Sequence, residues 1–227
     1  LYNIVFIFLG TAFSVFIAIL LNECSRKWQK RYQTLILIPH LLSYVVVSYI
    51  AYAFLGAENG MINNQILRPL GLDPISFYTE DKYWPFILVF VNIWKTFGYS
   101  SIIYFASIIG IDRTYYEAAE VDGASAWTQI WSITLPLLKP VLITMLLLSV
   151  GRILYSDFGL FYQVPMDSGM LFNTTNTIDT FVYRGLLQTN DLGRAAAANF
   201  IQSVMGFFLV LGANLIVRKV EKEYALF

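Results

Sequence analysis

The sequence predicts an all-α protein whose helices form a polytopic transmembrane bundle. Of its 227 residues, 57% are hydrophobic, 17% are aromatic and only 13% are charged. The mean hydropathy is +0.60, which lies far from the range of soluble domains. Five apolar segments are also long enough to cross a bilayer, which takes about 17 to 25 residues per helix. The chain is therefore predicted to contain five transmembrane helices.

These five spans follow one another with polar connections between them. They are predicted at residues 1–21, 35–55, 84–109, 140–154 with an extension toward 161, and 195–217. The far end of the fourth span is interrupted by Arg152, Asp157 and Gly159. Because the chain opens at Leu1, without Met and already inside an apolar run, we expect the sequence to be part of a longer protein.

Lys and Arg residues are distributed unevenly between the connections, and this asymmetry predicts the orientation. One side holds nine of them: Arg26, Lys27, Lys30, Arg31, Arg113, Lys139, Arg218, Lys219 and Lys222. The other side holds four: Arg68, Lys82, Arg184 and Arg194. The richer side is predicted to be cytoplasmic, and it includes the polar connection 112–139 and a tail over residues 218–227. Residues 1–217 are predicted to form one transmembrane domain.

The connection 112–139 is predicted to begin with a short helix that ends in a sharp turn. Thr114 is the candidate cap, and residues 115–121 include several good helix formers. Asp122 and Gly123 end this helix, because glycine accepts the positive φ that such a turn needs and aspartate tolerates it.

A second short helix is predicted after the turn. Ser125 is its candidate cap, and Trp127, Ile130 and Trp131 recur at helical spacing, which gives one apolar face. Pro136 is predicted to end this helix, because proline lacks a backbone donor. The small side chains along the segment would let another protein approach its backbone closely, with charge supplied by Glu117, Glu120 and Asp122.

At these residues the sequence resembles a known family. Glu117-Ala118-Ala119, followed by Gly123 and by Ile133-x-Leu135-Pro136, resembles the EAA motif of binding-protein-dependent ABC importer permeases, the type I or MetI-like subunits. Gly151-Arg152, residues 156–165 (SDFGLFYQVP) and residues 177–184 (TIDTFVYR) are similar to oligosaccharide and polysaccharide permeases of the LplB and YteP kind. The resemblance covers essentially the whole chain and implies a MetI-like permease core.

The resemblance implies that the EAA loop couples the chain to a partner that hydrolyses ATP. The residues expected in this coupling role are Glu117, Ala118, Ala119, Asp122, Gly123, Leu135 and Pro136. The implied partners are two ABC ATPase subunits carrying ATP and Mg, a second and non-identical permease, an extracytoplasmic sugar-binding protein and an oligosaccharide. No cofactor is expected in this chain, which contains no Gly-x-x-x-x-Gly-Lys-Ser/Thr pattern. The expected location is a bacterial cytoplasmic membrane.

Two long connections are predicted on the extracytoplasmic side. Residues 56–83 include a short helix predicted at 62–67. Residues 155–194 are more than a simple connection needs, since loops above about 12 to 15 residues are uncommon unless they are functional or disordered. The aromatic residues of this second connection favour order. Both connections are candidates for docking the binding protein, and the alternative is that they only cap the helix bundle.

Polar side chains within the predicted spans are costly in hydrocarbon and usually face a bundle interior or a water-filled cavity. Hydrogen-bonding groups beside aromatic faces suit a sugar. We predict that seven residues line the translocation path: Asn92, Trp94, Lys95, Tyr99, Arg152, Tyr155 and Asn199. Alternatively, several of them form hydrogen bonds between helices, and Lys95 extends its amine to the membrane interface.

The sequence favours a transport subunit over an enzyme. His40 is the only histidine and Cys24 the only cysteine, which excludes His-dependent triads and Cys-based metal sites confined to this chain. No nucleic-acid partner is expected, because no basic patch with interleaved aromatic residues is apparent. Two alternatives remain: a permease for amino acids, phosphate or metal ions, and an intramembrane enzyme.

Overall fold

The computed structural model describes residues 1–189 and 192–220, and within them every regular element is a helix. This confirms the all-α class. The α-helices, in chain order, are α1 (Tyr2–Glu23), α2 (Arg26–Leu41), α3 (Tyr44–Leu55), α4 (Trp84–Ile109), α5 (Arg113–Val121), α6 (Ala126–Gln129), α7 (Leu135–Gly151), α8 (Phe172–Thr175), α9 (Ile178–Thr189) and α10 (Leu192–Val220). The predicted tail starts inside α10, and its residues 221–227, including Lys222, lie outside the described residues.

Four helical stretches among the described residues are long and apolar enough to cross a membrane: Tyr2–Glu23, Asp81–Ile109, Ala126–Gly151 and Leu192–Lys219. The predicted span 35–55 is divided into α2 and α3, which give a fifth crossing if the bent pair is one span. The break has a local cause, because Ser43 Oγ accepts a hydrogen bond from the Val46 amide at 3.3 Å and caps α3. The polytopic helical class is therefore confirmed.

The prediction that Pro136 ends a helix is wrong. Helix α6 continues through a π-helical turn, Ile130–Thr134, into α7, and the whole stretch counts as one candidate span, Ala126–Gly151. The wider turn changes the backbone hydrogen-bond register just before Pro136, which has no donor to contribute. The fourth span therefore begins earlier than predicted, and it ends at Gly151 instead of extending toward 161.

The chain divides into two compact units. The first unit comprises Leu1–Asn3, Leu41–Asn92 and Leu154–Val204; the second comprises Ile4–His40, Ile93–Ile153 and the described part of Met205–Phe227.

In the second unit, α1, α4 and α7 share an apolar core. Its buried members are Val15, Ala18, Leu21, Tyr104, Phe105, Ile108 and Leu138. Helix α2 approaches α4 so closely that a Cβ added to Gly98 would overlap the Ile36 carbonyl. Helices α7 and α10 also meet closely, since a Cβ on Gly206 would lie 2.9 Å from the Gly151 oxygen.

In the first unit, the described parts of the two long connections contact each other. The predicted helix at 62–67 is present as a π-helical turn, Ile62–Leu67. Ser168 Oγ donates to the Tyr78 carbonyl at 3.0 Å, and Asn173 Nδ2 donates to Asp81 Oδ2 at 3.2 Å. The Tyr78 hydroxyl donates to the Val164 carbonyl at 3.4 Å, and burial and the neighbouring Tyr52 raise the pKa of this phenol.

Candidate functional site

The helix that carries Glu117 begins with a side-chain cap. Asp112 Oδ1 accepts a hydrogen bond from the Thr114 amide at 3.0 Å. The backbone and side-chain hydrogen bonds from Thr114 hold the pKa of the Asp112 carboxyl below its ordinary value. The prediction that Thr114 is the cap is therefore wrong, because Thr114 already lies in the first turn of α5 and supplies a donor.

A glycine turn ends this helix, as predicted. Gly123 has φ of +75°, its amide donates to the Glu120 carbonyl at 3.0 Å, and the Ala124 amide donates to the Ala119 carbonyl at 2.8 Å. These two bonds form a Schellman motif, which requires a left-handed residue at the position of Gly123. A Cβ on Gly123 would meet no atom within 4 Å, so backbone conformation alone requires the glycine.

The second helix of the segment begins at the predicted cap and is bonded to the first. Ser125 Oγ accepts a hydrogen bond from the Thr128 amide at 3.2 Å. The Tyr116 hydroxyl and Thr134 Oγ1 lie 2.9 Å apart and share a hydrogen bond, and Thr134 is buried. Sequence reasoning missed this pair, because Tyr116 and Thr134 are eighteen positions apart. The bond holds α5 against the beginning of α7.

The EAA segment presents an exposed surface. Glu117, Ala118, Asp122 and Gly123 are exposed, whereas Ala119 is half-buried. A cleft of about 1020 Å³ lies beside α5 in the second unit. Its charged lining residues are Glu23, Arg26, Lys30, Arg113, Glu117 and Glu120. Equal numbers of cations and carboxylates suit a protein surface that carries charges of both signs.

Large apolar side chains next to this surface are also exposed. Val121 is 88% exposed, and Trp127 and Trp131 are 68% and 58% exposed, with ring centroids 5.9 Å apart. Exposed apolar side chains grouped beside polar ones are typical of interaction surfaces or lipid contacts. The remaining two predicted coupling residues, Leu135 and Pro136, lie in the first turn of α7.

Four of the predicted path residues lie in the second unit, and two of them contact the end of α2. Lys95 is 7% exposed, and its Nζ donates to the His40 carbonyl at 2.9 Å and to the Pro39 carbonyl at 3.4 Å. Tyr99 stacks on His40 with ring centroids 4.8 Å apart and stays 53% exposed. Lys95 thus binds carbonyls at a helix C-terminus, where a positive charge is favourable.

The other two path residues of this unit are Trp94 and Arg152. Trp94 is half-buried within α4, and Arg152 is exposed directly after the end of α7.

Sequence reasoning also missed a cavity of about 190 Å³ in the second unit. Its lining carries five side-chain hydroxyls: Thr11, Thr96, Ser100, Tyr104 and Ser149. Such a lining can exchange hydrogen bonds with water or with a small polyhydroxylated molecule.

The remaining path residues lie in the first unit. Asn92 is buried, at 9% exposure. The Tyr155 hydroxyl lies 2.7 Å from Ser203 Oγ, which donates to the Asn199 carbonyl at 2.8 Å. Ser203 therefore joins Tyr155 to Asn199, and the Asn199 side chain remains exposed.

A carboxylate network joins the two segments that carry the saccharide-permease resemblance. Asp179 Oδ2 accepts hydrogen bonds from the Ser156 amide at 2.7 Å and from Ser156 Oγ at 2.6 Å. Ser156 Oγ also lies 2.7 Å from Thr177 Oγ1. The buried Gln202 donates to Asp179 Oδ1 at 3.4 Å and to the Leu154 carbonyl at 2.9 Å. The network fixes both segments to α10 within the first unit.

Arg184, at the end of the second segment, bonds to residues that lie between the two segments. Its Nε donates to Asp167 Oδ1 at 2.8 Å, and its Nη1 donates to Asn176 Oδ1 at 2.9 Å. The guanidinium lies 3.9 Å from the centroid of the Phe172 ring. Asp167 reaches Arg184 from a left-handed backbone conformation, with φ of 48°.

Asp157 has a structural role. Its Oδ2 accepts a hydrogen bond from the Tyr44 hydroxyl at 2.7 Å, and its Oδ1 accepts one from the Leu160 amide at 3.3 Å. Among the residues that the structure describes, His, Cys, Asp and Glu side chains form no group of three or more that could hold a metal ion.

Comparison with protein families assigns the chain to a family. Residues 10–222 match the model of the binding-protein-dependent transport system inner membrane component. Since the match covers most of the chain, the protein belongs to this family of membrane transport components.

Individual relatives agree with that assignment. The chain is 32% identical over 208 residues to the protein LplB of Bacillus subtilis (strain 168), with 91% of this chain covered. It is 34% identical over 215 residues to the polygalacturonan/rhamnogalacturonan transport system permease protein YteP of the same organism, with 92% of this chain covered. The chain spans 64% of the length of each relative.

A solved structure has the same fold. A chain of the bacterial alginate ABC transporter, in complex with an alginate pentasaccharide-bound periplasmic protein, matches with a TM-score of 0.89 and 32% sequence identity. The match covers 97% of this chain and 76% of that chain.

Proposed function

We propose that this chain is a transmembrane permease subunit of a binding-protein-dependent ABC importer. It would move oligosaccharide or polysaccharide fragments into the cytoplasm, driven by ATP hydrolysis on separate subunits. The observation that carries the proposal is the exposed EAA segment. Its capped helix α5 ends in the glycine turn, and the helix after the turn runs directly into a candidate membrane span. Family membership supports the same function.

The EAA segment is proposed to dock on an ATPase subunit through Glu117, Ala118, Ala119, Asp122 and Gly123, with Leu135 and Pro136 leading into the span. The Tyr116–Thr134 hydrogen bond and the continuous helix from Ala126 to Gly151 would transmit movement of the docked segment into the membrane. Movement of a rigid element is an efficient way to couple two sites. ATP and Mg would be held by the ATPase subunits.

The proposed orientation places residues 112–139 and the tail 218–227 in the cytoplasm, which agrees with the Lys and Arg asymmetry. Residues 1–217 would act as one permease domain in a bacterial cytoplasmic membrane. The proposed assembly contains two ATPase subunits, a second and non-identical permease, and an extracytoplasmic sugar-binding protein. The long connections of the first unit would receive that binding protein.

The saccharide class is supported by the names of the relatives, which include a polygalacturonan/rhamnogalacturonan permease and an alginate transporter. The segments that carry this resemblance are ordered by Asp179 and Arg184.

The substrate path is proposed separately for each unit. In the second unit, Trp94, Tyr99, Arg152 and the hydroxyl-lined cavity would contribute, while Lys95 would hold the end of α2. In the first unit, Asn92, Tyr155 and Asn199 would contribute. Alanine at Tyr99 or at Asn199 should reduce uptake while the complex still assembles; unchanged uptake in both variants would contradict this assignment.

The test is ATP hydrolysis by the full-length complex in lipid, with and without a binding protein loaded with oligosaccharide. We expect stimulation by the loaded binding protein, loss of that stimulation in Glu117→Ala, and retention in Thr34→Ala, which alters an exposed side chain outside the EAA segment and outside both long connections. If no ATPase subunit co-purifies, the coupling role is wrong.

The same assay separates the alternatives. Stimulation only by an amino acid, phosphate or metal-ion binding protein would keep the importer and replace the saccharide. Catalytic turnover by the purified chain without partners would instead support an intramembrane enzyme.

A further inference from the structure

The first half of α2 carries a dense group of exposed cations. Arg26, Lys27, Lys30 and Arg31 fall within six residues, and all four side chains are exposed. Among the residues that the structure describes, no carboxylate lies within ion-pair distance of these four side chains. Their positive charge is therefore available to an external anion. Trp28 and Tyr32 lie among these cations, so the expectation that the chain has no basic patch with interleaved aromatic residues is wrong.

A second face of the same half-helix is aromatic. Trp28 and Tyr32 are 47% and 42% exposed, and their rings stack at 5.8 Å. Leu35, which is 58% exposed, follows on the same side. At about 100° per residue, these three side chains fall within an arc of about 60° that is separate from the cations. Arg31 links the two faces, with its guanidinium 4.9 Å from the Trp28 ring.

The position of the patch in the chain places it at the membrane surface. Helix α1, a candidate span, ends at Glu23, and α2 begins at Arg26. After Arg31, α2 contains no Asp, Glu, Lys or Arg as far as Leu41. The cations are thus confined to the turns next to the end of a span, where tryptophan and tyrosine rings also prefer to lie.

We propose that the first half of α2 is a binding site for the headgroups of anionic phospholipids in the leaflet that meets the end of α1. Lys and Arg clusters next to a membrane helix attract acidic lipids, by a factor of about five for each charge. The exposed aromatic face favours lipid over an acidic protein or a nucleic acid, because it can enter the interface while the cations contact phosphate. The proposal depends on membrane insertion and not on the transported substrate.

The test uses the full-length complex in phosphatidylcholine nanodiscs that contain dibrominated phosphatidylglycerol or, in parallel, dibrominated phosphatidylcholine. Bromine quenches nearby tryptophan, and the difference between wild type and Trp28→Phe isolates the Trp28 signal. We expect the relative binding constant for phosphatidylglycerol at Trp28 to exceed that for phosphatidylcholine by at least about fivefold at low salt. In 1 M salt the ratio should approach one, because the screening length falls to about 3 Å.

The charge variant is Lys27→Gln/Arg31→Gln, since neither residue lines the cleft beside α5. It should lower the ratio toward one at low salt. Arg68→Gln/Lys82→Gln removes the same charge from another connection and should leave the ratio unchanged. A wild-type ratio near one would overturn the proposal without any variant.

A high ratio that survives in Lys27→Gln/Arg31→Gln would also overturn it. If that variant instead loses the ATPase subunit while the lipid preference is unchanged, the patch binds an acidic protein surface and the proposal is wrong.

Discussion

At the scale of single residues, Gly98 and Gly123 are both required, for different physical reasons. Gly98 is required by space, because the Ile36 carbonyl occupies the position of a Cβ. Gly123 is required by its positive φ, although the space around it is open. Substitution by alanine should therefore cause a steric overlap at Gly98 and backbone strain at Gly123.

We predict that Gly98→Ala destabilises the protein by about 1 to 3 kcal/mol, the usual cost of overpacking a tight contact. Gly212→Ala is the matched control, because this helical glycine has nothing within 4 Å of its added Cβ. The control should be neutral or stabilising, since alanine favours a helix by about 1 kcal/mol over glycine. The measurement is the thermal unfolding midpoint in detergent, and equal midpoints would contradict the close approach of α2 and α4.

The Asp112 cap gives a pH dependence. Its folded-state pKa lies below the ordinary value, so the cap contributes stability above the unfolded pKa of about 3.9. That contribution is lost as the pH falls through the lower, folded-state pKa. Hydrogen exchange at the Thr114 amide should accelerate over this range relative to Asp112→Asn, which caps without titrating. Identical pH profiles in the two proteins would show that the carboxylate does not protect this amide.

At the scale of elements, the segment from α5 to α7 behaves as two helices that are bonded together. The glycine turn sets the direction of the chain between them, and the Tyr116–Thr134 hydrogen bond connects α5 to the start of α7. The continuous helix then carries the segment into the span. The predicted arrangement, in which the second helix ends at Pro136, would lack this continuous connection to the span.

Tyr116→Phe should loosen this connection while leaving the ring in place. A hydrogen bond of this kind contributes about 0.5 to 1.5 kcal/mol, so we expect about a two- to tenfold rise in ATP hydrolysed per sugar transported. Tyr115→Phe is the control, because it removes a hydroxyl from a neighbouring and 57% exposed ring. Equal coupling ratios in the two variants would remove Tyr116 from the proposed coupling role.

At the scale of the whole molecule, each unit has its own organising contacts. The second unit is built on an apolar core and carries the EAA segment. The first unit is held by polar networks centred on Asp179 and Arg184, together with the buried Asn63, which bonds to Ile75 through both its amide nitrogen and its oxygen. Pairing in these networks is incomplete, since Arg184 Nη2 and Gln202 Oε1 are buried without a hydrogen-bond partner among the described residues.

Asp179→Asn should weaken the first unit, because hydrogen bonds to a charged group are worth about 1.5 to 3 kcal/mol. We expect reduced stimulation of ATP hydrolysis by the loaded binding protein, with unchanged retention of the ATPase subunit. The thermal unfolding midpoint should fall in Asp179→Asn but not in Asp73→Asn, which alters an exposed carboxylate. Loss of the ATPase subunit in Asp179→Asn would contradict the proposal that the first unit serves only to receive the binding protein.

Several features follow from local chemistry and could be predicted from the sequence. Apolar segments predict the spans because backbone groups in hydrocarbon must bond within a helix. The turn at Gly123 and the Ser125 cap were predicted because their hydrogen bonds join residues only a few positions apart. The EAA motif also predicted the family, because its residues lie close together in the chain.

The errors and omissions concern features that depend on a wider environment. Pro136 was predicted to end a helix, but the preceding π-helical turn accommodates it. The role of Lys95 in a path stays a prediction; the sequence did not show that its amine binds a carbonyl at the end of α2, fifty-five positions away in the chain. Asp179 was not singled out as a hydrogen-bond acceptor, because Ser156 and Gln202 meet it only after folding.

The sequence by itself determined the membrane class, the family and the local turns of this protein, since composition and short-range hydrogen bonds decide them. The tertiary structure alone decided which polar side chains are engaged and which stay exposed, because those contacts join residues that are distant in the chain.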